Sequence, residues 1–172
     1  MTWGLLAAWV VHDLEELVTM PGCARRAVPR LRRLYPWLPA RAWSALDRST
    51  AQVAVAIGLM GILVAAAAAD GPRTGGRSVF YQAVLAGFGI HSVFHVGQTV
   101  LARGYTPGLV TAPLVVAPFS LWAWQQLDRA GVVTQDAGPT VLVVLVLLPA
   151  ALVGIHALAG LITTAGRALA SR

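Results

Sequence analysis

Five apolar segments recur along the chain, at about 2–20, 51–69, 79–102, 107–126 and 140–164, separated by shorter polar stretches. A membrane-crossing helix needs roughly 20 apolar residues, and each segment reaches or approaches that length. The pattern predicts an all-α fold, a polytopic membrane helix bundle of about five transmembrane helices in a single membrane domain, 1–172. The first segment is broken by His12, Asp13, Glu15 and Glu16 and is expected to stop at Pro21-Gly22. In the fourth, Pro113 and Pro118 predict a kink, because proline removes an N–H and crowds the preceding turn. The fifth contains Pro149 and His156.

The polar stretches set the expected orientation. Segment 23–49 carries seven arginines with Trp37 and Trp43 interleaved, and Pro29, Pro36 and Pro39 argue against one long helix. It reads as an Arg-rich cytoplasmic linker lying on lipid headgroups. Asp70-Gly71-Pro72 with Gly75-Gly76 predicts one outer turn, and 125–138 a second outer loop. With the N-terminus outside and the C-terminus inside, the inner stretches hold ten arginines, including Arg103, Arg167 and Arg172, against three outside, Arg73, Arg77 and Arg129. That asymmetry favours N-out/C-in.

Composition sharpens the class. The chain is 57% hydrophobic and 12% charged, where soluble domains carry about 25% charged residues. The net charge of +6 comes from arginines clustered between apolar segments, so topology accounts for it and nucleic acid is not an expected partner. Cys23 stands alone and excludes an internal disulfide. The first residues lack the basic start of a cleaved signal peptide, so the chain is expected to be integral to the inner membrane. No internal repeat suggests an inverted-repeat transporter.

Candidate chemistry gathers at one depth. His12, Glu15 and Glu16 share a helical face by their i, i+3, i+4 spacing, and these are the only glutamates in the chain. His91 and His95 lie one turn apart in the third segment, and all four histidines, including His156, fall inside apolar segments. An acid at the centre of a span costs about 2.5–3.5 kcal/mol, so Asp13, Glu15 and Glu16 require compensation. Ligation of divalent cations supplies it. The expected metal ligands are His12, Glu15, Glu16, His91, His95 and His156. Asp13 and Gln98 are expected to hydrogen-bond to those ligands from behind, and Tyr105 and Gln125 to sit at the interface.

The HDLEE stretch at His12 to Glu16, the HSVFH at His91 to His95, the GYTPG at Gly104 to Gly108 and the late His156 together resemble the HXXEE family of small multi-span membrane proteins. The resemblance implies that His12, Glu15, Glu16, His91 and His95 form one site. It also implies that Tyr105-Thr106-Pro107 shapes the start of the fourth helix, and it supplies no substrate.

The leading expectation is a membrane-embedded, metal-dependent oxidoreductase acting on a lipid or other lipophilic molecule. Its cofactor would be two non-haem iron ions (zinc or manganese being alternatives), with Glu15 and Glu16 in the catalytic role. An intramembrane zinc hydrolase keeps the ligands and changes the chemistry. A bis-histidine haem carrier or a metal permease is the non-enzymatic alternative. A second copy of the chain is a candidate for closing the site.

Overall fold

A computed structural model describes residues 2–44, 46, 48–133 and 137–170, without the side chains of 44, 137–149, 152, 167 and 170. The side chains of Pro149 and Arg167, and all of Arg172, therefore lie outside the described residues. Helix α1 spans Thr2–Leu34, α2 Ala40–Ser44, α3 Thr50–Arg73, α4 Val79–Ala102, α5 Ala117–Arg129 and α6 Ala137–Ala170. No strand occurs among the described residues, so the fold is all-α. Two helices, α3 and α4, are long and apolar enough to cross a membrane.

Helix α1 corrects one expectation. It continues through Pro21 and Pro29 instead of stopping at Pro21-Gly22, so much of the expected linker is helix. Each proline forfeits one backbone hydrogen bond, yet a proline kinks rather than ends a helix when packing holds both halves. The packing is visible along α3, which α1 contacts more extensively than any other helix. A Cβ on Gly61 would lie 2.8 Å from the Trp9 ring, and one on Gly71 2.5 Å from Thr2. These glycines let the helices approach, and the order of the pairs makes α1 and α3 antiparallel. Farther along, the Tyr35 hydroxyl donates to the Leu101 carbonyl at 2.8 Å, fastening the end of α1 to the end of α4. Trp37 is exposed, whereas Trp43 is buried and does not lie at a free surface.

Helix α3 starts at a capping box, Ser49 and Gln52 each satisfying the other's backbone N–H. It runs past the predicted turn at Asp70-Gly71-Pro72 and ends at Arg73, after which Gly75 and Gly76 take positive φ values of 59° and 87°. The reversal needs left-handed backbone, which Asp70 and Pro72 do not provide. The Asp70 carboxylate accepts from the Ser78 hydroxyl across that turn.

The fourth apolar segment is divided. Residues Ala112–Val116 form a π-helical turn leading into α5, with the Ala117 N–H bonded to the Ala112 carbonyl. Pro118 has no N–H for Leu114 and its ring crowds that carbonyl, so the backbone widens by one residue. The interior, centred on Leu5, Trp9, Tyr81, Leu85, Phe88, Val116 and Leu127, joins α1, α4 and α5. Outward, Val18 is 79% exposed, Leu114 71% and Val153 71%. Exposed apolar side chains of this kind are found on surfaces that meet a membrane or another protein.

Candidate metal centre

Helices α1 and α4 meet through side chains spaced i, i+4. His12 and Glu16 project from one, His91 and His95 from the other. One ligand atom from each of these residues lies within 4.8 Å of all the others. His12, Glu16 and His95 are buried and His91 partly so. His95 Nε2 is the hub, 2.8 Å from His91 Nε2, 3.3 Å from His12 Nε2 and 3.3 Å from Glu16 Oε1.

Outer partners fix which ring nitrogens carry protons. His95 Nδ1 lies 2.8 Å from the Pro107 carbonyl, which only accepts, so the proton is on Nδ1 and Nε2 is bare. His12 Nδ1 lies 2.8 Å from Thr111 Oγ1. That hydroxyl has one proton and donates it to Glu15 Oε2 at 2.6 Å, so it accepts from His12 and leaves His12 Nε2 bare as well. Two imidazole lone pairs therefore face each other at 3.3 Å, with a carboxylate oxygen beside them. Lone pair against lone pair is repulsive, and a shared cation reverses the sign. Bonds of about 2.1 Å would set neighbouring ligand atoms about 3.0–3.4 Å apart. The spacings around His95 match that within a few tenths of an ångström, so the donor set fits a metal ion.

The segment after α4 covers the cluster. Gly108 has φ +80°, and a Cβ there would lie 2.6 Å from His95 Nδ1 and 2.8 Å from His12 Cε1. Only glycine lets the backbone press onto both rings. Glu15 does not join the cluster as expected. Its carboxylate accepts from Tyr105 Oη at 2.6 Å, Val110 N at 3.2 Å and Thr111 N at 2.8 Å. Adjacent residues are 100° apart on a helix, so Glu16 faces α4 while Glu15 faces the covering segment. There it satisfies N–H groups at the start of the π-helical turn. Tyr105, which is exposed, therefore also fastens Glu15. Partial burial and its bond to Glu15 raise the phenol pKa above its ordinary value. Glu15→Ala is expected to retain metal at reduced affinity, about 10–100-fold weaker as for other outer partners, measured by competition with a chelator.

Three further expectations are revised. His156 lies outside the cluster, partly buried on α6 beside Arg48. Trp9, near His12, packs on Gly61 in mid-α3, whereas Arg48 precedes α3, so His156 sits at another level. Gln98 is exposed, and the polar contact beside it is Thr99 with Thr106 at 2.5 Å. Asp13 is buried near Glu16, and among the described residues no imidazole is its hydrogen-bond partner. Thr111, Gly108 and the Pro107 carbonyl do the orienting instead. Their signal in the sequence was the Gly104 to Gly108 turn, whose second glycine is the one in contact.

Fold and site together define an all-α chain with two helices able to cross a membrane and a buried imidazole–carboxylate cluster able to hold a metal ion. The sequence model described as "Protein of unknown function with HXXEE motif" matches residues 3–123, and the chain belongs to the HXXEE family. His12, Glu15 and Glu16 are the motif, and the match includes His91, His95, Gly108 and Thr111 but not His156. No curated protein and no solved structure matches the chain.

Proposed function

We propose that this chain is a membrane-embedded metalloenzyme, an oxidoreductase acting on a lipophilic substrate, with non-haem iron held by His12, Glu16, His91 and His95. The observation that carries the reading is the apposition of the bare Nε2 atoms of His12 and His95 beside Glu16. Four donor atoms within 4.8 Å of one another, with Glu15 engaged elsewhere, suit one cation per chain better than the two expected from the sequence. Bound iron would supply redox chemistry with oxygen, which partitions well into lipid. The Pro107 carbonyl and Thr111 hydroxyl keep the imidazole protons on the outer nitrogens, and Gly108 lets the covering backbone exclude water from the cluster.

The surrounding topology is part of the proposal. Five segments cross the inner membrane with the N-terminus outside, supported by the arginine asymmetry and the apolar exterior. The acids of α1 lower its apparent hydropathy, and ligation would remove that penalty. Zinc hydrolysis is the second reading, favoured by the single-cation geometry and three imidazoles.

Protein purified without chelator is expected to carry about one equivalent of transition metal by elemental analysis. Iron with oxygen-dependent turnover supports oxidation, whereas zinc with indifference to oxygen supports hydrolysis. A metal-free preparation that refuses reconstitution with either ion contradicts both.

A further inference from the structure

Beyond the cluster, α1 carries a second polar stripe. Thr19, Gly22, Cys23, Arg26 and Arg30 follow the i, i+3, i+4 spacing of Glu15 and so continue its face of the helix. They line a cavity of about 310 Å³ with Val18, Ala27 and Tyr105. The far wall is the covering segment itself. The Cys23 thiol donates to the Tyr105 carbonyl at 3.6 Å, and Arg30 lies so close to Gly104 that a Cβ there would sit 2.6 Å from its guanidinium. Arg30 Nε is buried with no hydrogen-bond partner. Among the described residues, neither Arg26 nor Arg30 has a carboxylate partner.

We propose that this cavity is a phosphate-binding pocket, taking the headgroup phosphate of a membrane lipid beside the metal centre. Two guanidinium groups one helical turn apart, both lining the cavity, offer the forked donors that match phosphate oxygens. Arg26 lies about 16 Å along the axis from Glu15, toward the C-terminal part of α1, so a headgroup held there leaves the lipid tail to reach the depth of His12. Tyr105 borders both regions, since it lines the cavity and its hydroxyl holds Glu15. The cavity lies along the face of α1 that Glu15 begins, and Val18 beside it is exposed. As the site of substrate selection it rests on the enzymatic reading; as a binding site it stands alone.

The test uses the full chain in nanodiscs of phosphatidylcholine, with and without phosphatidic acid, and inorganic phosphate as a separate probe. Phosphatidic acid is expected to raise thermal stability in the wild type, and Arg26→Ala with Arg30→Ala to weaken its binding on the order of tenfold or more. Arg30→Lys should recover only part of the affinity because it lacks the fork. Arg32→Ala with Arg33→Ala, which changes exposed arginines outside the cavity, should leave binding intact. Equal losses in the two double variants would mean general surface attraction and would overturn the pocket. Arg26- and Arg30-dependent binding of inorganic phosphate at matching affinity would support phosphate recognition with the free anion as its source. Metal content measured on the same samples separates the readings. Unchanged metal with no arginine-dependent binding sinks the pocket alone, and arginine-dependent binding in a chain that takes no metal sinks the enzyme alone.

Discussion

Gly108→Ala is expected to strip the protein of metal. The backbone there is left-handed at φ +80°, a conformation that costs a residue with a Cβ about 1–2 kcal/mol. The added carbon would also stand 2.6 Å from His95 Cε1 and Nδ1 and 2.8 Å from His12 Cε1. Contacts that short force the covering segment away or turn both rings. Either movement breaks the Pro107–His95 and Thr111–His12 bonds that keep Nε2 bare. Displacing two outer partners together should lower metal affinity at least about 100-fold, since one alone typically costs 10–100-fold. Elemental analysis and chelator competition measure this directly. Gly97→Ala is the matched control: it lies within α4 with open space around the added carbon and should be neutral or slightly stabilising. Full metal occupancy in Gly108→Ala would show that the covering segment does not shape the centre.

How much of this was readable beforehand depends on range. The i, i+4 pairs His12/Glu16 and His91/His95 are local, so helical periodicity alone showed that each pair shares a face. Their depth in two apolar segments brought the pairs to one layer. What periodicity could not supply was the choice between Glu15 and Glu16, because a 100° difference is decided by where α4 and the covering segment sit. His156 was misjudged for a related reason. Depth along a predicted span fixes one coordinate only, and α6 places this imidazole beside Arg48 instead.

Breaks were harder still. Pro21 and Pro29 carry the local signature of helix ends, but the helix continues through them, with Cys23 bonded to Tyr105 and Tyr35 to Leu101 on the far side of Pro21 and Pro29 respectively. Pro113 and Pro118 did mark an irregular segment, and the form it took, a π-helical turn, followed from the missing donor at Pro118. Gly108 and Thr111 are long-range in their action, eliciting no pattern within the segment that contains them. Their roles emerge only when the turn folds over α1.

His95→Ala should have the largest effect of all, and a paired substitution makes its meaning plain. His95 Nε2 touches His91, His12 and Glu16, and Nδ1 holds Pro107. Removing the ring takes away one donor, separates the other three, and leaves the Pro107 carbonyl without its partner. Metal affinity is expected to fall by at least about 100-fold, beyond the loss typical of an outer partner. His156→Ala should retain full occupancy, because that imidazole lies outside the group. Thermal melting with a chelator adds a second readout. A metal bound to the folded state stabilises it by mass action, so the chelator should lower the melting temperature of the wild type and His156→Ala while leaving His95→Ala unmoved. A simple packing defect would behave otherwise: it would lower all melting temperatures yet preserve the chelator's effect. If His95→Ala still responds to chelator and His156→Ala does not, the centre belongs to α6 and the cluster between α1 and α4 is merely a set of satisfied histidines.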